Sequence, residues 1–159
     1  MKTANYNFKV SVIIPTFNET DKIETCLKSL SKQSCKDIEI ILVDDCSSDE
    51  TVLIAKQVGV LLRLNLKIIQ LSHHQERGVA RNKGAKEASG DYLIFADADM
   101  KLSKNVIAEC LSLVQQNLSI KAVIIPEESI GEGFWAQCRR LEKLCYIGDN
   151  RVEAARFFE

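Results

Sequence analysis

Tyr92-Leu93-Ile94-Phe95-Ala96-Asp97-Ala98-Asp99 runs four largely apolar residues straight into two carboxylates spaced one residue apart. A buried strand followed by Asp-x-Asp places acidic oxygens at the carboxyl edge of a sheet. In open α/β sheets that edge is where ligands bind. Hard divalent cations take oxygen ligands, and Mg²⁺ is commonly shared between one or two carboxylates and substrate phosphates. Asp97 and Asp99 therefore point to a metal–diphosphate site.

Upstream, strand and helix patterns alternate. Val10 to Ile14 is a β-branched run that reads as a buried strand ending at Pro15, which cannot donate to a ladder. Pro15 to Glu19 reads as a loop, with Thr20 or Asp21 capping a helix that turns Ile23, Leu27 and Leu30 inward. Ile38 to Val43 is the next strand, ending at Asp44-Asp45-Cys46-Ser47-Ser48-Asp49. Ser47 with Glu50 has capping-box spacing for a helix to about Val58, and Gly59 suits its stop. Leu66 to Leu71 reads as a strand, and Val79 to Ser89 as an alanine-rich helix ended by Gly90. The opening strand follows.

Downstream, Ser103 suits the cap of a helix with Val106, Ile107, Cys110, Leu111 and Val114 inward. Ala122 to Ile125 reads as a fifth strand, Phe134 to Tyr146 as an amphipathic helix, and Asp149 to Glu159 as helical or irregular. Alternating strands and helices predict a three-layer, doubly wound, mostly parallel α/β sheet. Right-handed crossovers put successive loops on one rim. The ends of strands one, two and four then bring Glu19, Asp44 with Asp45, and Asp97 with Asp99 to that rim.

The 159 residues fit one domain, with Met1 to Lys9 a polar leader, 10–126 the core and 127–159 a further region. A net charge of −1 and a pI of about 6.2 offer no electrostatic footprint for nucleic acid. No stretch approaches the roughly 18 apolar residues of a transmembrane helix. The six cysteines form no Cys-x-x-Cys pair and read as small buried thiols of a reducing cytosol. There is no G-x-G-x-x-G after the first strand and no P-loop motif, so a nucleotide must be held another way. Ser47, Ser48 and Asp49 read as turn and cap chemistry. His73 and His74 read as loop histidines, Trp135 as a helix-docking side chain, and Arg139, Arg140 and Lys143 as a solvated face.

Four stretches together carry a specific resemblance: Val12 to Glu19, Val43 to Thr51, Gly78 to Ala85, and Ala88 to Asp99. In this order and spacing they resemble a family-2 glycosyltransferase of the GT-A fold. The run Glu128 to Trp135, with Gly148-Asp149 and Glu153 to Phe158, is similar to a subset of such enzymes.

The resemblance implies that Pro15, Thr16 and Glu19 line a nucleoside pocket, with Phe17 against the base or ribose. Asp44 or Asp45 would accept hydrogen bonds from the base. Arg77 or Arg81 would approach the pyrophosphate or support the loop that does. Asp97 would face the ribose or sugar, and Asp99 would bind the Mg²⁺ or Mn²⁺ that bridges the diphosphate. It implies as partners a UDP- or GDP-linked sugar and a saccharide or lipid-phosphate acceptor, and a cytoplasmic location or the inner face of the cell membrane. In this sequence Cys46 stands where relatives usually have glycine, and the segment before Ala80 looks shorter than in many of them. Relatives continue into an acceptor half whose acidic motif supplies the general base. Asp149, Glu153 and Glu159 lack that context, so no base is assigned.

Two further readings follow from the same residues. One is a non-catalytic or truncated nucleotide-sugar module that needs a missing half or a partner chain. In that reading the apolar stripe from Phe134 to Cys145 and the end at Phe157-Phe158 favour self-association. The other is a receiver-like signalling domain. It is disfavoured because paired aspartates there follow the first strand, whereas Asp44 and Asp45 follow the second.

Overall fold

The computed structural model describes residues 8–128, 133, 137, 138, 140–142 and 155–159. The elements in chain order are β1 (Val10–Thr16), α1 (Thr20–Ser31), β2 (Ile38–Asp44), α2 (Thr51–Leu61) and β3 (Leu66–Gln70). They continue with α3 (Arg77–Lys86), β4 (Tyr92–Phe95), α4 (Val106–Gln116), β5 (Ala122–Val123) and β6 (Phe157–Phe158). The strands form one sheet in the order β3-β2-β1-β4-β6-β5. β1 pairs in parallel with β2 and β4, and β2 with β3, while β6 runs antiparallel to β4 and β5.

Strand alternation sends successive side chains to opposite faces. Val10, Val12 and Ile14 of β1 join Ile23, Cys26 and Leu27 of α1, Ala55 of α2, and Ile107 and Val114 of α4 in one core. On the other face Ile41 and Val43 of β2 pack with Ala80 of α3. The expected three layers are therefore present. The layers follow from handedness. The chain steps from β1 to β2 to β3 in one direction, then α3 returns it across the sheet to β4. A right-handed crossover in the reverse direction must use the opposite face.

Several boundaries differ from the sequence reading. β1 continues through Pro15, which lies opposite Val43 on β2. On the β4 side the ladder ends at Ile13 opposite Phe95, where the Ile13 carbonyl accepts the Ala96 N–H at 3.0 Å. Alternation turns the nitrogen of residue 15 to that same side, beyond the end of the ladder, so its missing N–H interrupts nothing. The Ser47–Glu50 capping box does not form. Ser47 Oγ accepts the Asn18 N–H at 2.9 Å. Asp49 Oδ1 instead accepts the Thr51 N–H at 3.0 Å and its hydroxyl at 2.6 Å. Gly59 lies inside α2, where a Cβ would meet Leu66 Cδ2 at 2.7 Å, so it serves close packing on β3 rather than a helix stop.

α3 runs from Arg77 to Lys86 rather than Val79 to Ser89, because Ser89 and Gly90 are drawn to the sheet. The Ser89 N–H donates to Glu39 Oε1 at 2.6 Å and the Gly90 N–H to Ser11 Oγ at 2.8 Å. α4 starts at Val106 with Asn105, not Ser103, at the cap position, and buries Ile107, Cys110, Leu111 and Val114 as expected. Of the tail read as helical or irregular, Phe157–Phe158 form β6, while 149–154 lie outside the described residues. Phe157 is fully buried and stacks on Tyr92 at 4.9 Å, so it is not the exposed apolar end the sequence reading assumed. Most of the helix expected over Phe134 to Tyr146, with Trp135, Arg139 and Lys143, lies outside the described residues.

Candidate functional site

β1 and β4 are neighbours whose following connections leave in opposite directions. Such a switch point opens a crevice beyond the carboxyl ends of the strands. A cavity of about 360 Å³ lies there. Pro15, Thr16, Phe17 and Glu19 from the end of β1, Asp45 after β2, and Asp97, Ala98 and Asp99 after β4 line it. His74, Gln75, Glu76, Arg77 and Ala80, from the β3–α3 connection and α3, complete the wall. The volume is in the range of small-molecule sites.

Backbone ties hold the rim. The Asp45 N–H donates to the Thr16 carbonyl at 2.8 Å, continuing the β1–β2 ladder past the strands. The Glu19 N–H donates to Thr51 Oγ1 at 2.8 Å, the Thr20 N–H to Asp49 Oδ2 at 3.2 Å, and the Ser48 N–H to Asn18 Oδ1 at 2.9 Å. The loop after β1 is thus clamped to the loop after β2. This agrees with reading Ser47, Ser48 and Asp49 as turn and cap residues. Burial works against the Asp49 carboxylate, yet the donors of Thr20 and Thr51 hold its pKa down at about 2. Two residues of these loops adopt left-handed backbone, Asn18 at φ 53° and Cys46 at φ 64°. Glycine suits the latter position best, and cysteine occupies it here.

The two aspartates after β2 separate. Asp44 is fully buried and caps the turn, accepting the Ser47 N–H on Oδ2 at 3.2 Å. It does not line the cavity, whereas Asp45 does. Asp45 Oδ1 accepts the Gln75 N–H at 2.7 Å, and its Oδ2 lies 3.0 Å from His74 Nδ1. The two arginines also separate. Arg77 reaches the cavity with its side chain 66% exposed. Arg81 supports from behind, donating from Nη2 to Asp97 Oδ1 at 2.7 Å.

Asp97 is bound by three guanidinium groups. Arg81 and, at 3.8 Å, Arg77 face Oδ1, while Arg156 Nη2 lies 3.3 Å from Oδ2. Both carboxylate oxygens of Asp97 are therefore turned toward guanidinium groups. Asp99 is exposed on the cavity wall. Among the described residues no cluster of three or more His, Cys, Asp or Glu could hold an ion. Asp99 is a cavity carboxylate that could help hold a divalent cation, since Mg²⁺ commonly needs only one or two carboxylates beside its other oxygen ligands. Burial first, then the charges of Asp99 and Asp97, push the Cys26 thiol up to about 12. Hydrogen bonding and charge from Glu19 raise the Lys22 pKa above its usual value, with burial opposing and Asp99 adding.

Several residues at the site escaped the sequence reading, Gln75 and Glu76 of the wall among them. His74 stacks on Phe17 with ring centroids 4.1 Å apart, so it is a wall of the cavity rather than a loop bystander. Its partner Asp45 is 29 residues away, a separation no motif spacing reports. Arg156 enters β6, where its carbonyl accepts the Phe95 N–H at 2.9 Å and its side chain reaches both Asp97 and Glu127. The only signal for it was its place in the run Glu153 to Phe158.

The family model described as Glycosyl transferase family 2 matches residues 11–157. The chain belongs to glycosyltransferase family 2. It is 34% identical over 114 residues to the poly(ribitol-phosphate) beta-N-acetylglucosaminyltransferase TarS of Staphylococcus aureus, a match covering 70% of this chain and 20% of that protein. To the putative teichuronic acid biosynthesis glycosyltransferase TuaG of Bacillus subtilis it is 35% identical over 112 residues, covering 70% of this chain and 44% of that one. The crystal structure of S. aureus TarS 1-349 in complex with UDP-GlcNAc superposes with a TM-score of 0.72 at 32% identity, covering 79% of this chain and 36% of that chain. A mannosyltransferase from Pyrobaculum calidifontis, in complex with GDP-Man and Mn²⁺, shares the fold with a TM-score of 0.70 at 24% identity. The fold is therefore GT-A, as the resemblance implied. The chain spans less than half the length of these relatives. Among the described residues no helix is long and apolar enough to cross a membrane.

Proposed function

We propose that this chain is the donor-binding part of a glycosyltransferase, holding a UDP- or GDP-linked sugar with Mg²⁺ or Mn²⁺ for inverting transfer to a saccharide or lipid-phosphate acceptor. The observation that carries this reading is one cavity lined by Pro15, Thr16, Phe17, Glu19, Asp45, Arg77, Asp97 and Asp99. The relative TarS, whose fragment has been crystallised with UDP-GlcNAc, supports it. Phe17 offers the base an aromatic face and Asp45 a carboxylate acceptor. Arg77 approaches the diphosphate. Asp97, gripped by Arg81 and Arg156, turns a fixed edge to the ribose or sugar.

Asp99 is the residue that would hold the cation. When bound, a divalent cation stabilises the negative charge of the departing nucleoside diphosphate as a Lewis acid. Removal of the acceptor proton belongs to a general base that is not assigned to any residue here. A second reading, a module completed by another polypeptide segment, is favoured by the share of relatives that the chain spans, 20% of TarS and 44% of TuaG.

Titration of the full chain with UDP- and GDP-sugars, with and without Mn²⁺, tests the proposal. The expected result is binding that Mn²⁺ tightens, with the Mn²⁺-dependent part lost in Asp99→Ala. Absence of binding with metal present sinks the donor-site reading. An Asp99→Ala variant that keeps its Mn²⁺ dependence sinks the metal assignment alone. Binding without transfer or hydrolysis favours the second reading.

A further inference from the structure

The base end of the cavity already holds a planar heteroaromatic ring from the chain itself. The imidazole of His74 stacks on Phe17 with centroids 4.1 Å apart and planes 31° from parallel. Its Nδ1 lies 3.0 Å from Asp45 Oδ2 and 3.3 Å from the Asp45 carbonyl oxygen. Phe17 and Asp45 are the two groups assigned above to the nucleobase, so this inference rests on that reading. A uracil or guanine ring also presents a flat π-face with an N–H on its edge. A stacked imidazole aimed at a carboxylate makes the same two contacts in miniature.

The placement of the two Asp45 oxygens sharpens this. Oδ1 is held by the Gln75 N–H at 2.7 Å, which anchors the backbone of the β3–α3 connection. Oδ2 is the oxygen left for a ligand, and His74 faces it. The His74 side chain is 58% exposed, so it can rotate into solvent while Gln75 keeps the connection in place. A nucleobase has the larger ring face and the same edge chemistry. It can therefore replace the imidazole on both partners without moving the backbone.

We propose that His74 holds the nucleobase subsite and that a nucleotide binds by displacing it from Phe17 and Asp45. His74 is thus a residue that sets donor affinity by competition, not one that contacts the reacting sugar. Its ring gives up one aromatic contact and one hydrogen bond each time the base enters. Removing the ring should strengthen nucleotide binding rather than weaken it.

Calorimetric titration of UDP into the full chain, wild type against His74→Ala and His74→Asn, reads this directly. The expected result is about fivefold tighter binding in both variants, the size of relief from one aromatic contact. Phe17→Ala, which removes the shared platform, should bind more weakly than wild type. In parallel, the ring proton resonances of His74 should lose the ring-current shift from Phe17 as UDP saturates the protein. Equal or weaker UDP binding by both His74 variants, or a His74 resonance unmoved at saturation, overturns the competition while leaving the donor site standing. Failure of wild type and both variants to bind UDP, with Mn²⁺ present, overturns the donor site and the competition together.

Discussion

Gly84 couples the packing of α3 to the site, and Gly84→Ala tests that coupling. A Cβ at Gly84 would lie 2.4 Å from Ile13 Cγ2 and 3.2 Å from Val43 Cγ2. Carbon atoms settle near 3.5–4.0 Å, so the added methyl demands roughly 1 Å of retreat. Ile13 and Val43 are fully buried on adjacent central strands, so α3 must supply most of that movement. Overpacking of this kind costs about 1–3 kcal/mol, and alanine returns about 1 kcal/mol of helix propensity. The net expectation is a loss of up to about 2 kcal/mol of stability.

The same retreat carries Arg77 and Arg81 away from Asp97. A 2.7 Å contact from Arg81 lengthened by about 1 Å is no longer a hydrogen bond. Nucleotide affinity should therefore fall with stability. Urea unfolding and UDP titration on the same preparation measure the two effects. Gly78→Ala is the matched control, because nothing lies within 4 Å of a Cβ there, and it should gain about 0.5–1 kcal/mol. If Gly84→Ala gains stability as Gly78→Ala does, the close approach of α3 to the sheet is not what places the arginines, and the reasoning fails.

Three further outcomes are expected. Burial opposes ionisation of Glu39, but hydrogen bonds from Ser11 and Ser89 and the nearby Lys9 hold its pKa at about 2 against an ordinary 4.5. Its contribution is complete above pH 4.5 and disappears as the pH falls toward 2, because the unfolded chain takes up the proton first. Allowing for solvent screening, Glu39→Gln should cost about 1–2 kcal/mol at neutral pH and flatten the acid limb of the stability curve. An unchanged acid limb by urea unfolding across pH would refute the assignment. For the thiols, Cys46 is exposed while Cys26 and Cys110 are buried, with burial the first cause of thiol pKa values of about 12 and 11. A maleimide should modify Cys46 well before Cys26 or Cys110, as read by peptide mass analysis. Cys46→Gly, freed of the cost of a side chain at φ 64°, should be more stable by about 0.5–1 kcal/mol.

Elements with a strong local pattern were legible in the sequence. The run from Tyr92 to Phe95 is β4, and Ile23, Leu27 and Leu30 form the buried face of α1. The acids at the strand ends followed, because right-handed crossovers oblige parallel strands to share a rim. Boundaries failed where a non-local partner outbid a local signal. Pro15 stays in β1 because its nitrogen faces beyond the end of the β4 ladder. Ser47 gives up its capping role because Asn18 lies across the rim from it. Gly59 reads as a stop until Leu66 is seen packed against it. Among the described cysteines only Cys46 is exposed, against the reading of the cysteines as buried thiols.

By itself, then, the sequence determined a doubly wound α/β sheet with a carboxylate-rich rim and the family motifs that belong there. Those depend on patterns within about ten residues, or on chain handedness. Only the tertiary structure decided what each acid of a pair does. It turned Asp45 inward and Asp44 into the turn, gave Asp97 to three arginines and left Asp99 exposed on the cavity wall. It also placed His74 on Phe17 and inserted Phe157-Phe158 between β4 and β5. The reason is geometric. A carboxylate's role is set by which donors reach it in space, and here those donors come from elements tens of residues away.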